Sequence, residues 1–120
     1  MFRAALTGIL TALRTEPNLL YHALIAFSVL LTARQLNVTT TELTLLVLVI
    51  SMVISAELFN TALERLCDRV HPGQDTLIRD IKDISAGAVL ITAVTSVVVG
   101  WLVLYPYVYR SLHLTYCGRV

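Results

Sequence analysis

The run Leu43–Ala56 is apolar except for Thr44, Ser51 and Ser55, and it leads without a break into E-L-F-N-T-A-L-E-R-L-C-D, Glu57 to Asp68. An apolar run of this kind reads as a helix inside a membrane, which restricts what can follow it. Glu57, Asn60, Thr61, Glu64 and Asp68 recur at steps of three and four. On an α-helix those steps put all five on one face. A carboxylate at membrane depth costs roughly 2.5–3.5 kcal/mol on insertion scales. It persists where it faces a bundle interior, binds a cation or meets water. The stripe is therefore the candidate functional site.

The rest of the chain agrees with a membrane setting. Hydrophobic residues make up 57% of it and mean hydropathy is +0.77. Charged residues supply only 14%, against roughly 25% in soluble domains. We read an integral membrane protein in one domain over residues 1–120. A net charge of +1 argues against nucleic acid, which needs a concentrated basic surface. Cys67 and Cys117 show no CxxC or metal-like spacing. The topology below puts them on opposite sides of the membrane, so no mutual disulfide is expected.

Residues 1–15 carry Arg3, Thr7, Thr11 and Arg14 as a narrow polar stripe on an otherwise apolar segment. This predicts an amphipathic helix in the membrane interface, with an ordinary bundle helix as the alternative. A secretory signal fits poorly, because no small-x-small cleavage site follows. Glu16-Pro17-Asn18 breaks that helix, and proline suits the first position of the next. Residues 17–36 are the first predicted span. Glu16 stands at its mouth, as a functional acid or as a helix-start acid favoured by the dipole. Gln35–Glu42 is a polar turn, and residues 43–66 are the second span. Residues 68–83 are polar, with His71-Pro72-Gly73 as the turn signal. The third span, residues 84–105, ends before Pro106. In it Ala88, Thr92, Ser96 and Gly100 form a small-residue stripe suited to close helix contact. Trp101, Tyr105, Tyr107 and Tyr109 mark an interface, and 110–120 reads as a short loose tail.

Basic residues set the orientation. Arg3, Arg14, Arg65, Arg69, Arg79 and Lys82 fall on one side, and Arg34, Arg110 and Arg119 on the other. The N-terminus and the acidic stripe are thus expected in the cytoplasm and the C-terminus outside.

On this topology Glu16, the Glu57–Asp68 stripe and Lys82-Asp83 share one side of the membrane. Mg²⁺ takes one or two carboxylates plus substrate phosphates. Glu16 and Glu64, both at the interface, are the natural pair. Glu57 lies two turns deeper than Glu64, about 10 Å along the axis, where an acid can reach a lipid headgroup. Lys82 suits a phosphate, and Asn60 is a neutral hydrogen-bonder. The combination fits phosphoryl transfer from a nucleotide to a lipid alcohol, in which the protein positions groups and neutralises charge and a carboxylate takes the hydroxyl proton. Plainer readings stand beside it. Glu57 could be satisfied by a neighbouring helix, Asn60 and Thr61 could be bundle glue, and Lys82 and Asp83 could be the polar lead-in to the third span. Arg65 and Arg69 read as headgroup contacts, His22 as an interface residue and His113 as a surface one. There is no Walker A loop, DFG, HRD, nucleophile elbow or HExxH, so a nucleotide site must be built another way.

These motifs resemble the small prokaryotic membrane kinases of the diacylglycerol kinase and undecaprenol kinase group, from about residue 2 to 105. Their signature runs E-x-apolar-N-[ST]-[SA]-apolar-E-x-x-V-D. Glu57, Asn60, Thr61, Ala62, Glu64 and Asp68 match it in register, and Phe59 and Cys67 depart from it in packing character. Lys82-Asp83 followed by Ser85-Ala86-Gly87-Ala88 matches a second motif, and Glu16 matches the acid ahead of the first span.

The resemblance implies an all-α fold of three transmembrane helices plus the amphipathic N-terminal one. It implies a multi-pass protein of the bacterial cytoplasmic (inner) membrane, assembled as a homotrimer with sites between subunits. It also implies an ATP- and Mg²⁺-dependent lipid kinase. Glu57 would be the general base, Glu16 and Glu64 the metal ligands, and Glu16, Asn60, Glu64, Asp68, Lys82 and Asp83 the nucleotide's surroundings. Asp75 joins these through the loop Gly73-Gln74-Asp75, whose side chains differ from the acid–aromatic–histidine of the best-known member. Glu57 and Ala86 would face the lipid. Gly8-Ile9, Glu16-x-Asn18 and His22 look more like the undecaprenol kinase branch, with diacylglycerol kinase the close second. A non-enzymatic ion or proton pathway lined by Glu57 and Glu64, or a scaffolding subunit, are the rivals from other classes.

Overall fold

A computed structural model describes residues 1–73 and 75–117, with side chains at the C-terminal end described as far as Leu112. Four helices follow one another, α1 (Phe2–Thr15), α2 (Pro17–Gln35), α3 (Thr40–Val70) and α4 (Thr76–Cys117), with no strand among the described residues. Glu16 separates α1 from α2 in an extended conformation, and Pro17 opens α2. That is the break expected from Glu16-Pro17.

The turn between α2 and α3 is tighter than the polar run Gln35–Glu42 suggests. Gln35 closes α2, and Thr40 already begins α3. The physical reason is the sequence Thr39-x-x-Glu42, a capping box. Thr39 Oγ1 accepts the Glu42 amide and the Glu42 carboxylate accepts the Thr39 amide, satisfying two orphan donors at the helix start. Asn37 supplies the left-handed step at φ 52°, a conformation that asparagine tolerates. Glu42 also accepts from Tyr107 Oη of α4 at 2.6 Å. This one carboxylate therefore joins a helix start to a second helix. Tyr107→Phe is expected to lower the thermal midpoint in detergent by a few degrees while leaving kcat unchanged. An unchanged midpoint would show that the bond contributes nothing.

Three expectations are corrected. Residues 68–83 are mostly helical: α3 runs to Val70 and α4 starts at Thr76, so the turn shrinks to 71–75. Asp75 Oδ1 accepts the amides of Leu77 and Ile78 at 2.8 and 3.1 Å, which caps α4 and explains its early start. Pro106 does not end the third apolar helix but lies inside α4. A proline removes one backbone donor, and a helix continues through it where other groups or a local adjustment satisfy the freed carbonyl. The expected loose tail is helical over 110–117, whereas 118–120 and Gln74 lie outside the described residues.

Two helices, Thr40–Val70 and Thr76–Leu112, are long and apolar enough to cross a membrane. α2 is not among them. Asn18, Tyr21, His22 and Arg34 dilute its apolar heart. α4, at 42 residues, is about 63 Å long, so it outreaches a hydrocarbon core of about 30 Å.

Ala33, Leu46 and Val103, one from each long helix, form a small buried cluster with Val29, Val38, Val99 and Leu104 against it. Large apolar residues such as Phe27, Met52, Leu90 and Trp101 are exposed, as lipid-facing surface would be. Trp101, Tyr105 and Tyr109 stack along α4 at centroid spacings of 5.1 and 6.1 Å. The small-residue stripe is looser than expected. Ala88 is exposed, and a Cβ added at Gly100 would meet nothing within 4 Å. No close helix approach within one chain requires that glycine. Cys67 is buried and free; the side chain of Cys117 is not among those described.

Candidate active site

α3 turns its polar stripe inward. Glu57 and Thr61 are each 6% exposed, and Phe59, Leu66 and Val70 take the outer face. Asn60 and Glu64 are half-buried, and Asp68, nearest the end of the helix, is exposed. The stripe thus runs from a closed interior to an open rim.

At the deep end, Glu57 Oε1 lies 3.1 Å from His22 Nε2 of α2. One turn on, Asn60 Nδ2 donates to Glu64 Oε1 at 3.1 Å, while Asn60 Oδ1 is buried with no partner. A buried acceptor left unpaired costs about 1–3 kcal/mol, so this oxygen is one that a donor or a cation would satisfy. At the rim, Arg65 Nη2 donates to Glu16 Oε1 at 2.9 Å and also to Thr15 Oγ1. This clamps the α1–α2 elbow to α3.

Also at the rim, Lys82 of α4 pairs with Asp68 across the turn. A groove of about 530 Å³ opens beside that pair, lined by Gly73, Asp75, Thr76, Arg79, Lys82 and Asp83 among others. Arg79 and Asp83 form an i,i+4 pair at 3.8 Å on its wall. Two cations at the start of a helix suit a polyphosphate. Ala86 is exposed and is not part of the groove lining.

The structure therefore brings Asp75, Lys82 and Asp83 to one groove, pairs Asp68 with its Lys82, and joins Asn60 to Glu64. Glu16 meets Arg65 rather than a second carboxylate, which differs from the headgroup role expected of Arg65. Among the described residues no group of three or more His, Cys, Asp or Glu could hold a metal ion. In type, though, the donors are ones that a hard cation takes. Glu16 and Glu64 offer carboxylate oxygens and Asn60 Oδ1 offers an unclaimed amide oxygen, while Mg²⁺ keeps several waters and leans on substrate phosphates.

His22, an interface residue by its sequence, is the cross-helix partner of the deepest acid. Its position one turn after Asn18 and two before Val29, on the face that carries Ala26, was the available signal.

A model of the prokaryotic diacylglycerol kinase family matches residues 3–104. The chain belongs to that family. Similar curated proteins include the undecaprenol kinase of Bacillus subtilis (strain 168), 35% identical over 99 residues, which cover 82% of this chain and 80% of that protein. The diacylglycerol kinase of Synechocystis sp. is 35% identical over 106 residues, 88% of this chain and 61% of that protein. The chain thus spans less than two thirds of the Synechocystis protein. Its family is one of lipid kinases, which are phosphotransferases, and the ion-pathway and scaffolding readings of the stripe are not favoured.

Proposed function

We propose that this lipid kinase transfers the γ-phosphate of ATP to the primary alcohol of a membrane lipid, undecaprenol ahead of diacylglycerol. The observation that carries the reading is Glu57, a carboxylate 6% exposed on a membrane-length helix in a chain of a lipid kinase family. An acid at that depth lies where a lipid hydroxyl is and a soluble acceptor is not. Glu57 accepts the hydroxyl proton as the alcohol oxygen attacks phosphorus. The nucleotide lies along the rim, with Lys82 toward its phosphates and Asn60, Asp68, Asp75 and Asp83 around it. Glu16 and Glu64 would hold Mg²⁺, with substrate phosphates completing its shell as is usual for this ion. When bound, the ion neutralises phosphate charge. Ala86 lines the lipid approach. These roles are supported by the inward stripe and by the groove beside Lys82.

In the bilayer, α2 joins α3 and α4 as a third span and α1 lies at the interface. The protein is a multi-pass component of the bacterial inner membrane with its N-terminus in the cytoplasm, and it works as a homotrimer. The large exposed apolar surface of one chain and the open space at Gly100 favour further helices packing there. The undecaprenol preference is supported by the Bacillus relative, which aligns over most of both chains.

The test is a competition assay in detergent micelles with γ-labelled ATP, Mg²⁺ and both lipids at equal concentration. Label is expected in both lipid phosphates, with undecaprenyl phosphate in excess. Label in diacylglycerol phosphate alone would overturn the preference, and label in neither would overturn the kinase reading.

A further inference from the structure

The contact between His22 and Glu57 has a role beyond satisfying a buried acid. We propose that His22 is a positioning residue for the base. Its Nε2–H donates to Glu57 Oε1 and so leaves Oε2 to receive the lipid alcohol's proton. This rests on the kinase reading above and deepens it.

A carboxylate with 6% exposure has lost most of its hydration and needs hydrogen bonds in exchange. His22 provides one at 3.1 Å from a different helix. The surroundings say that the imidazole is there for Glu57. His22 stands at the edge of a cavity of about 120 Å³ whose other lining is aliphatic or small, including Val29, Leu46, Val53, Ser96 and Gly100. Packing alone would be served there by another aliphatic side chain. The imidazole is only half-buried, its side chain 29% exposed, and setting its polar edge against methyl groups gains nothing without a polar partner.

The placement is also fixed from outside the pair. Pro17 sets where α2 begins, and the Arg65–Glu16 bond ties that beginning to α3. The register of His22 against Glu57 is thus supported by a contact two turns away. A base held by one oxygen cannot swing toward the Asn60–Glu64 pair one turn below. Groups locked by such outer hydrogen bonds stay near productive geometry.

The step balances with the imidazole as a spectator. The alcohol O–H bond breaks and its proton goes to Glu57 Oε2. The alcohol oxygen forms a bond to the γ-phosphorus, the bond from that phosphorus to the bridging oxygen breaks, and ADP leaves. His22 keeps its Nε2 proton throughout, so a neutral imidazole suffices.

The experiment compares wild type, His22→Leu, His22→Gln and His22→Asn in detergent, with labelled transfer to undecaprenol and diacylglycerol. His22→Leu is expected to lower kcat by roughly 10–100-fold, the range for removing an outer hydrogen-bond partner, with KM for Mg·ATP unchanged. His22→Gln, whose amide nitrogen reaches the Nε2 position, should recover most of kcat. The shorter His22→Asn should resemble His22→Leu. Combined with Glu57→Gln, His22→Leu should cost nothing further, because the two act as a unit. Full activity in His22→Leu, a loss confined to KM, or a Gln variant as poor as Asn would overturn the inference while leaving the kinase reading intact. Should His22→Leu not fold, the Gln-against-Asn comparison decides alone. A wild-type chain that labels neither lipid overturns the kinase reading and this inference with it.

Discussion

Glu57→Gln is expected to lower kcat by about 10²–10⁴-fold, the usual span for losing a general base, while Mg·ATP still binds. Glutamine keeps the size of the side chain and a carbonyl oxygen that can accept from His22 Nε2, now 3.1 Å from Glu57 Oε1. Packing at this buried position is therefore preserved. What disappears is the capacity to accept a proton. The nucleotide's proposed contacts lie at least one turn away, at Asn60, Glu64 and the groove beside Lys82, so binding should survive. Paired measurements of lipid phosphorylation and of nucleotide binding check this. Full turnover in Glu57→Gln would remove Glu57 from the chemistry. Loss of binding together with turnover would place Glu57 in the nucleotide site instead.

Glu64→Gln should act on the other substrate. It is expected to weaken the apparent affinity for Mg·ATP by at least the roughly 10–100-fold that losing only an outer hydrogen-bond partner of a metal ligand costs. The Mg²⁺ concentration needed for half-maximal rate should rise with it. Asn60 Nδ2 can still donate to the new amide oxygen, so the local hydrogen bond at 3.1 Å need not be lost. The change is then one of charge at a position next to the unpartnered Asn60 Oδ1. A titration of rate against Mg²⁺ at several ATP concentrations separates metal from nucleotide. Unchanged Mg·ATP affinity would be the result expected of a scaffolding subunit. Because Glu57 and Glu64 lie about 10 Å apart along one helix, the two variants should show distinct signatures, one in kcat and one in the Mg·ATP dependence.

Much of this was legible in the sequence, for identifiable reasons. The three-and-four spacing from Glu57 to Asp68 is a property of one helix, and burial of Glu57 and Thr61 follows that spacing. The Glu16-Pro17 break is equally local. What escaped was information held between elements or in caps. His22 meets Glu57 only once α2 and α3 are packed; its place on the face of α2 that carries Ala26 marks it as inward-facing but does not name its partner. Arg65 looked like a headgroup contact because its partner, Glu16, lies 49 residues away. Two boundaries were misjudged through caps rather than hydropathy. Thr39 with Glu42 starts α3 early, and Asp75 starts α4 early. Pro106 reads in sequence as a helix end, whereas α4 continues through it, with the adjacent Tyr107 bonded to Glu42 of α3. The stripe ending at Gly100 promised a tight helix crossing, and within one chain the space beside that glycine is open.

The most direct test of the central claim is the configuration at phosphorus after transfer from ATP made chiral at its γ-phosphate. If Glu57 takes the alcohol's proton and the lipid oxygen attacks phosphorus itself, a single in-line displacement must invert that centre. No label should be trapped on the protein when the lipid is withheld. Retention of configuration, or a labelled carboxylate at Glu57, would mean that the acid attacks the phosphate first, and the role assigned to Glu57 would be contradicted.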